Sequence, residues 1–163
     1  VTEPQLVERE CGDCRVCCTI FEIPELEKPK RQLCVHLCKK GCEIYPERPS
    51  TCRAYRCRWL QGDPQLERRD RPDRLGVVFD TQGDANPLLQ GIKHVIAREV
   101  LPSAFKRKRA ERWIATLQAE RLLIQISYSG QQRVLGPASL VEELERRTKA
   151  TGQELPIAGK TPS

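Results

Sequence analysis

CGDCRVCC at residues 11–18, CVHLCKKGC at 34–42 and CEIYPERPSTCRAYRC at 42–57 hold every cysteine of the chain: Cys11, Cys14, Cys17, Cys18, Cys34, Cys38, Cys42, Cys52 and Cys57. The large apolar residues around them, among them Ile20, Phe21, Ile23, Leu26, Leu33 and Leu37, follow no sustained period. Such a segment buries too little surface to offset the entropy of ordering its backbone, so a cross-link is expected. An odd cysteine count excludes complete internal pairing as disulfides. The start, VTEPQLVERE, has no basic region followed by an apolar run, so no secretory signal is read and the expected compartment is the cytoplasm, where thiols stay reduced. Clustered thiols there bind metal more often than they pair, and metal-binding free energy then becomes folding free energy.

The spacing sharpens that expectation. Cys11-x2-Cys14 places two sulfurs across one turn, with Gly12 giving the turn its freedom. Cys14-x2-Cys17 repeats it. Adjacent side chains diverge, so Cys17 and Cys18 are expected to serve different metal atoms or different corners of a cluster. Cys34, Cys38 and Cys42 recur every four residues, and Pro46 and Pro49 stiffen the link from Cys42 to Cys52. Eight sulfurs suffice for two four-thiolate zinc sites. Zinc is preferred; an iron–sulfur cluster is the alternative, although the fourth cysteine follows the third directly and no proline comes after it, unlike a ferredoxin run. His36 stands beside the cluster and is a less favoured ligand than the thiols. No catalytic residue is assigned, because no Ser-His-Asp set, HExxH or Walker sequence occurs.

These residues resemble a family. Cys11-x2-Cys14-x2-Cys17-Cys18, Cys34, Gly41-Cys42-Glu43-Ile44-Tyr45, Arg48-Pro49, Cys52-Arg53 and Cys57 look like the YkgJ-type cysteine-cluster proteins, a group described as a zinc- or iron-chelating domain. The resemblance covers about residues 11–60, and Arg71-Pro72-Asp73 leading into Leu75 is similar to longer members. It implies metal held by Cys11, Cys14, Cys17, Cys18, Cys34, Cys42, Cys52 and Cys57, with Cys38 outside the pattern as a spare thiol or a local replacement ligand. Flagellin lysine N-methylase carries a similar cluster, but no glycine-rich loop follows a strand here, so its activity is not carried over.

Beyond the cysteines the chain reads as structured but lean. Of its residues 39% are hydrophobic and 31% charged, with a net charge of +6. No apolar run approaches the ~20 residues that cross a bilayer. Residues 1–60 form the cysteine-rich module, 61–74 a polar linker, 75–150 a small α+β part and 151–163 a tail. Leu75 to Phe79 and Ile92 to Val100 are expected strands, and DTQGDANP at 80–87 a turn. A helix is expected over 103–121, capped by Ser103, with Ala110, Trp113, Ile114 and Leu117 on one stripe. Leu122 to Tyr128 alternates as a strand and turns at Ser129-Gly130 into Arg133 to Leu135. Ser139 and Glu142 form a capping box for a helix over 138–149. The order β-β-α-β-β-α points to an α+β fold: a metal-stapled module on a small, mainly antiparallel sheet with two helices.

The function expected is thiolate-coordinated zinc binding with a structural, storage or delivery role, with metal ions and a protein as partners. The alternative is an iron–sulfur protein with a redox or protein-modifying role. A lesser alternative is a nucleic-acid adaptor using the basic run 106–112 and the arginines at 53, 56, 58, 68, 69, 71 and 74; it is disfavoured because the basic run has no aromatics interleaved for base stacking and acidic residues dilute the patch.

Overall fold

The computed structural model describes residues 5–80, 87–128 and 131–153. The cysteine region contributes α1 (Val16–Ile20), a short antiparallel hairpin of β1 (Leu37–Cys38) and β2 (Gly41–Cys42), and α2 (Ser50–Ala54). After α3 (Pro72–Leu75) come β3 (Val77–Asp80), β4 (His94–Glu99), α4 (Lys108–Ala119), β5 (Leu123–Tyr128), β6 (Gln131–Leu135) and α5 (Ala138–Thr151). These last four strands make one sheet in the order β3-β4-β5-β6.

The fold is α+β, but not in the form the sequence led us to expect. The described residues carry five α-helices, a two-stranded ribbon and a four-stranded mixed sheet, in place of two helices on a mainly antiparallel sheet beneath a metal-stapled module. The sheet is mixed because β4 and β5 are parallel, with His94 opposite Leu123 and Arg98 opposite Ser127. Parallel neighbours need a crossover. Here α4 supplies it, returning the chain along the sheet so that β5 enters in the direction of β4. The outer pairs β3–β4 and β5–β6 are antiparallel.

Strand alternation sorts the core onto two faces. Val77, Phe79, Val95, Ala97 and Ile124 meet Ala110, Trp113 and Leu117 of α4, together with Trp59, Leu60, Leu66 and Leu75 from before the sheet. Leu123 and Val134 face the other way, onto Leu144 of α5 and Leu88, Leu89 and Ile92. The cysteine region wraps the free edge of β3. Arg58 N–H donates to Phe79 C=O at 2.9 Å, Cys11 and Cys57 pack against the α4-side core, and the Arg98 guanidinium lies 5.2 Å from the Phe21 ring centre on the opposite face.

Helix starts differ from their sequence signals. Ser103 has φ 59° and caps nothing; a 3-10 turn over Ala104–Lys106 follows, and α4 begins at Lys108. The tight turn buries Ala104 completely against Gly76. α5 begins at Ala138 after Pro137, so Ser139 is already inside it and the expected box does not form. Leu6 and Val7 lie in irregular chain, where Val7 N–H donates to Gly62 C=O at 2.8 Å. A Cβ on Gly62 would lie 2.2 Å from the Val7 carbonyl oxygen, so this closure needs glycine. The turn expected at Ser129-Gly130 and most of DTQGDANP lie outside the described residues, as does the tail beyond 153. Among the described residues, no helix is long and apolar enough to cross a membrane.

Candidate functional site

Short-range geometry in residues 11–57 folds the chain into a cup. Cys14 N–H returns to Cys11 C=O at 3.0 Å, closing the turn around Gly12. α1 then carries Cys17 and Cys18. Cys34 N–H donates to Cys18 C=O at 3.2 Å, which sets the irregular segment before β1 beside α1. Gly41 has φ 119°, and a Cβ on it would lie 2.7 Å from the Gly12 carbonyl oxygen; only glycine lets the β1–β2 hairpin touch that turn. Pro49 stands at the N-terminus of α2, which carries Cys52.

Two charged side chains hold the cup closed. The Glu25 carboxylate accepts from Thr51 N–H at 2.9 Å, Ser50 Oγ at 2.7 Å and Thr51 Oγ1 at 2.9 Å, capping α2 from the turn that follows α1. The Ser50 hydroxyl above all, with the Thr51 donors, holds Glu25 down at about 2. Lys28 is buried. Its Nζ donates to the carbonyls of Thr19, Phe21 and Pro29, and so satisfies the C-terminal end of α1.

The cup encloses a cavity of about 260 Å³ lined by Cys11, Cys14, Cys17, Cys18, Cys34, Cys42 and Cys52, with Phe21, Tyr45, Arg48 and Tyr55 among the other walls. A smaller space of about 30 Å³ adjoins it, lined by Cys11, Cys14, Cys17, Cys52 and Cys57 with Trp59 and Val78. Eight of the nine cysteines thus face one of two neighbouring spaces. Cys38 and His36 line neither. All nine cysteines are free thiols.

Electrostatics distinguish these thiols. Burial pushes Cys11, Cys14, Cys42 and Cys52 upward, and Cys57 to about 11. Cys17 is raised because it gives its S–H to Cys18 and is itself buried. Cys18 receives that hydrogen bond and is lowered to about 7, helped by the charges of Lys28 and Arg48. Cys17 and Cys18 therefore behave as one protonated donor and one thiolate acceptor, side by side in α1.

This arrangement corrects the metal expectation. No three His, Cys, Asp or Glu side chains among the described residues are placed to hold one metal ion. The thiols surround a space rather than meet at a point within the ~2.3 Å of a zinc–sulfur bond. The residues present therefore do not fit a zinc ion or an iron–sulfur cluster, and metal ions fall away as partners. Four of the arginines considered for nucleic acid are ion-paired within the chain. Arg58 pairs with Asp63 and Glu120, Arg69 with Glu67, Arg71 with Asp13 and Asp73, and Arg109 with Asp70. Trp59 is a core residue whose Nε1 donates to Glu67 C=O at 3.0 Å. His94 Nδ1 lies 2.8 Å from Ile92 C=O, a local structural bond.

Sequence reading missed Lys28 and Tyr55. Nothing in EKP marks Lys28 as a carbonyl clamp, and Tyr55 stands among arginines with no periodicity to aim it. Arg48 lies over the Tyr45 ring, with Cζ 3.7 Å from the centroid. No family model matches the chain, nor does any curated protein or solved structure, so the resemblance to the YkgJ-type proteins is not supported and the thiol-lined cup stands on its own geometry.

Proposed function

We propose that this chain is a thiol–disulfide exchange protein whose reactive centre is the cysteine-lined cavity. The observation that carries this reading is that seven free thiols line one partly open cavity. Residues 1–60 are then the reactive module, and the sheet with α4 and α5 is its support. Thiolate is the attacking species in such exchange, and a thiol whose pKa lies near ambient pH attacks best. Cys18 meets that requirement. Its sulfur attacks a small disulfide R–S–S–R′; a Cys18–S–S–R bond forms and R′S⁻ leaves, taking a proton from water. Cys34, tied beside Cys18 through its N–H, then loses its proton to water and attacks the Cys18 sulfur, and RS⁻ leaves and is protonated in turn. Two cysteines lose two electrons and the small disulfide gains them. Such a protein belongs in a reducing compartment, the cytoplasm, where its thiols are restored.

The test is mass spectrometry of the reduced chain after brief exposure to bis(2-hydroxyethyl) disulfide. A Cys18–Cys34 disulfide that dithiothreitol reverses is the expected product, and Cys18→Ser abolishes it. Thiols that resist both the disulfide and alkylation until a chelator is added overturn the proposal.

A further inference from the structure

Two buried polar atoms among the described residues lack a hydrogen-bond partner: Arg48 Nε and Tyr55 Oη. Both residues line the large cavity and also the small one, so they stand at the partition between the two. An unsatisfied buried donor is costly, and more so when charged; in a native protein such groups ask for a partner. Both side chains are held in place. Arg48 is stacked on Tyr45, and the Tyr55 ring packs 4.4 Å from that of Phe21.

The chemistry of the missing partner follows from the donors. A guanidinium offers N–H groups and no acceptor. The Tyr55 phenol is kept protonated by burial and so donates as well. Two donors on the lining of the same cavity, one of them cationic, call for an acceptor that carries negative charge. The carboxylates on the cavity wall do not supply it: Asp80 is paired with Arg98 at 3.0 Å, and Glu22 is exposed. The cavity is also smaller than the ~300–1,000 Å³ of sites for drug-sized molecules.

We infer that the cavity receives a small carboxylate-bearing molecule, whose carboxylate accepts from Arg48 Nε and Tyr55 Oη while the rest of it lies against the thiols. This rests on the thiol-exchange reading and deepens it: the substrate class is an anionic, low-mass disulfide rather than a neutral one or a protein.

Two disulfides of similar size separate the possibilities. At pH 7 dithiodiglycolate should oxidise the chain about tenfold faster than bis(2-hydroxyethyl) disulfide, since one charge-assisted hydrogen bond is worth about that factor or more. Tyr55→Phe and Arg48→Lys should each remove most of that preference; the lysine keeps the charge but loses the planar fork. Glutarate, which has carboxylates and no sulfur, should bind by calorimetry and compete with dithiodiglycolate. Equal rates for the two disulfides, unchanged by either substitution or by glutarate, overturn the carboxylate site and leave thiol exchange standing. If neither disulfide reacts, thiol exchange falls, and glutarate decides the carboxylate site alone: binding weakened by Tyr55→Phe supports it, and no binding overturns it.

Discussion

Cys18 and Cys17 are neighbours in sequence with opposite chemistry. The donor S–H of Cys17 lowers Cys18, and the same bond raises Cys17. Alkylation of Cys18 by iodoacetamide should therefore follow a titration centred near pH 7, with the rate falling about tenfold per pH unit well below that value. Cys17→Ala should move the midpoint up toward the ordinary thiol range, about 8.5. A pH–rate profile read by peptide mapping checks both. Lys28 is the other residue whose chemistry depends on its setting. It clamps three carbonyls from a buried position, so Lys28→Met should destabilise the chain by about 2 kcal/mol in urea denaturation. Neither residue could be read in this way from its neighbours. A vicinal cysteine pair is visible in CRVCC, but which sulfur donates depends on the rotamers α1 imposes.

At the scale of elements, Asp70 is the joint between the 67–70 turn and α4. Its carboxylate accepts from Arg109 Nη2 at 2.6 Å, Trp113 Nε1 at 2.9 Å and Glu67 N–H at 2.8 Å. Burial alone would raise Asp70; the donors, Arg109 first among them, outweigh it and leave it below the usual carboxylate range. A lowered folded pKa means stability that is fully present above the unfolded value, about 3.9, and is lost as pH falls through the folded value. Asp70→Asn should cost about 3 kcal/mol at pH 7. That difference from the parent chain should shrink below pH 4, in denaturation curves taken across pH. The polar run QGDPQLERRDRPDR marks neither Asp70 nor Arg71 as buried, because Asp70 is covered by α4, some forty residues later, and Arg71 lies against Gly12 and Asp13, far earlier in the chain. The apolar stripe of α4 is legible by contrast: Ala110, Trp113 and Leu117 fall on one helical face and are buried together.

For the whole molecule, the cysteine module and the sheet share one core. Trp59 and Leu60 lie two and three residues after the last cysteine and pack in the same cluster as Trp113 and Leu117. Unfolding should therefore be a single transition: tryptophan fluorescence and thiol exposure to a chromogenic disulfide should change at the same urea concentration. Leu144→Ala lies in the far cluster beneath α5. It should lower stability by about 3 kcal/mol and shift both signals together, while the pH profile of Cys18 stays where it was. Two separated transitions would show that the module folds independently of the sheet.

What the sequence determined is what local forces decide: the cysteine-dense segment 11–57, the alternation of β5, the apolar stripes of α4 and α5, and the order of strands and helices after residue 75. Periodicity and turn chemistry act over a few residues and survive any tertiary arrangement. Only the tertiary structure decided that β4 and β5 run parallel, that eight thiols face two adjoining spaces without meeting at one point, and that Arg48, Tyr55 and Lys28 belong to the same cup. Those outcomes hang on contacts between segments far apart in the chain, and spacing along a sequence carries no information about the distance between side chains that approach from different segments.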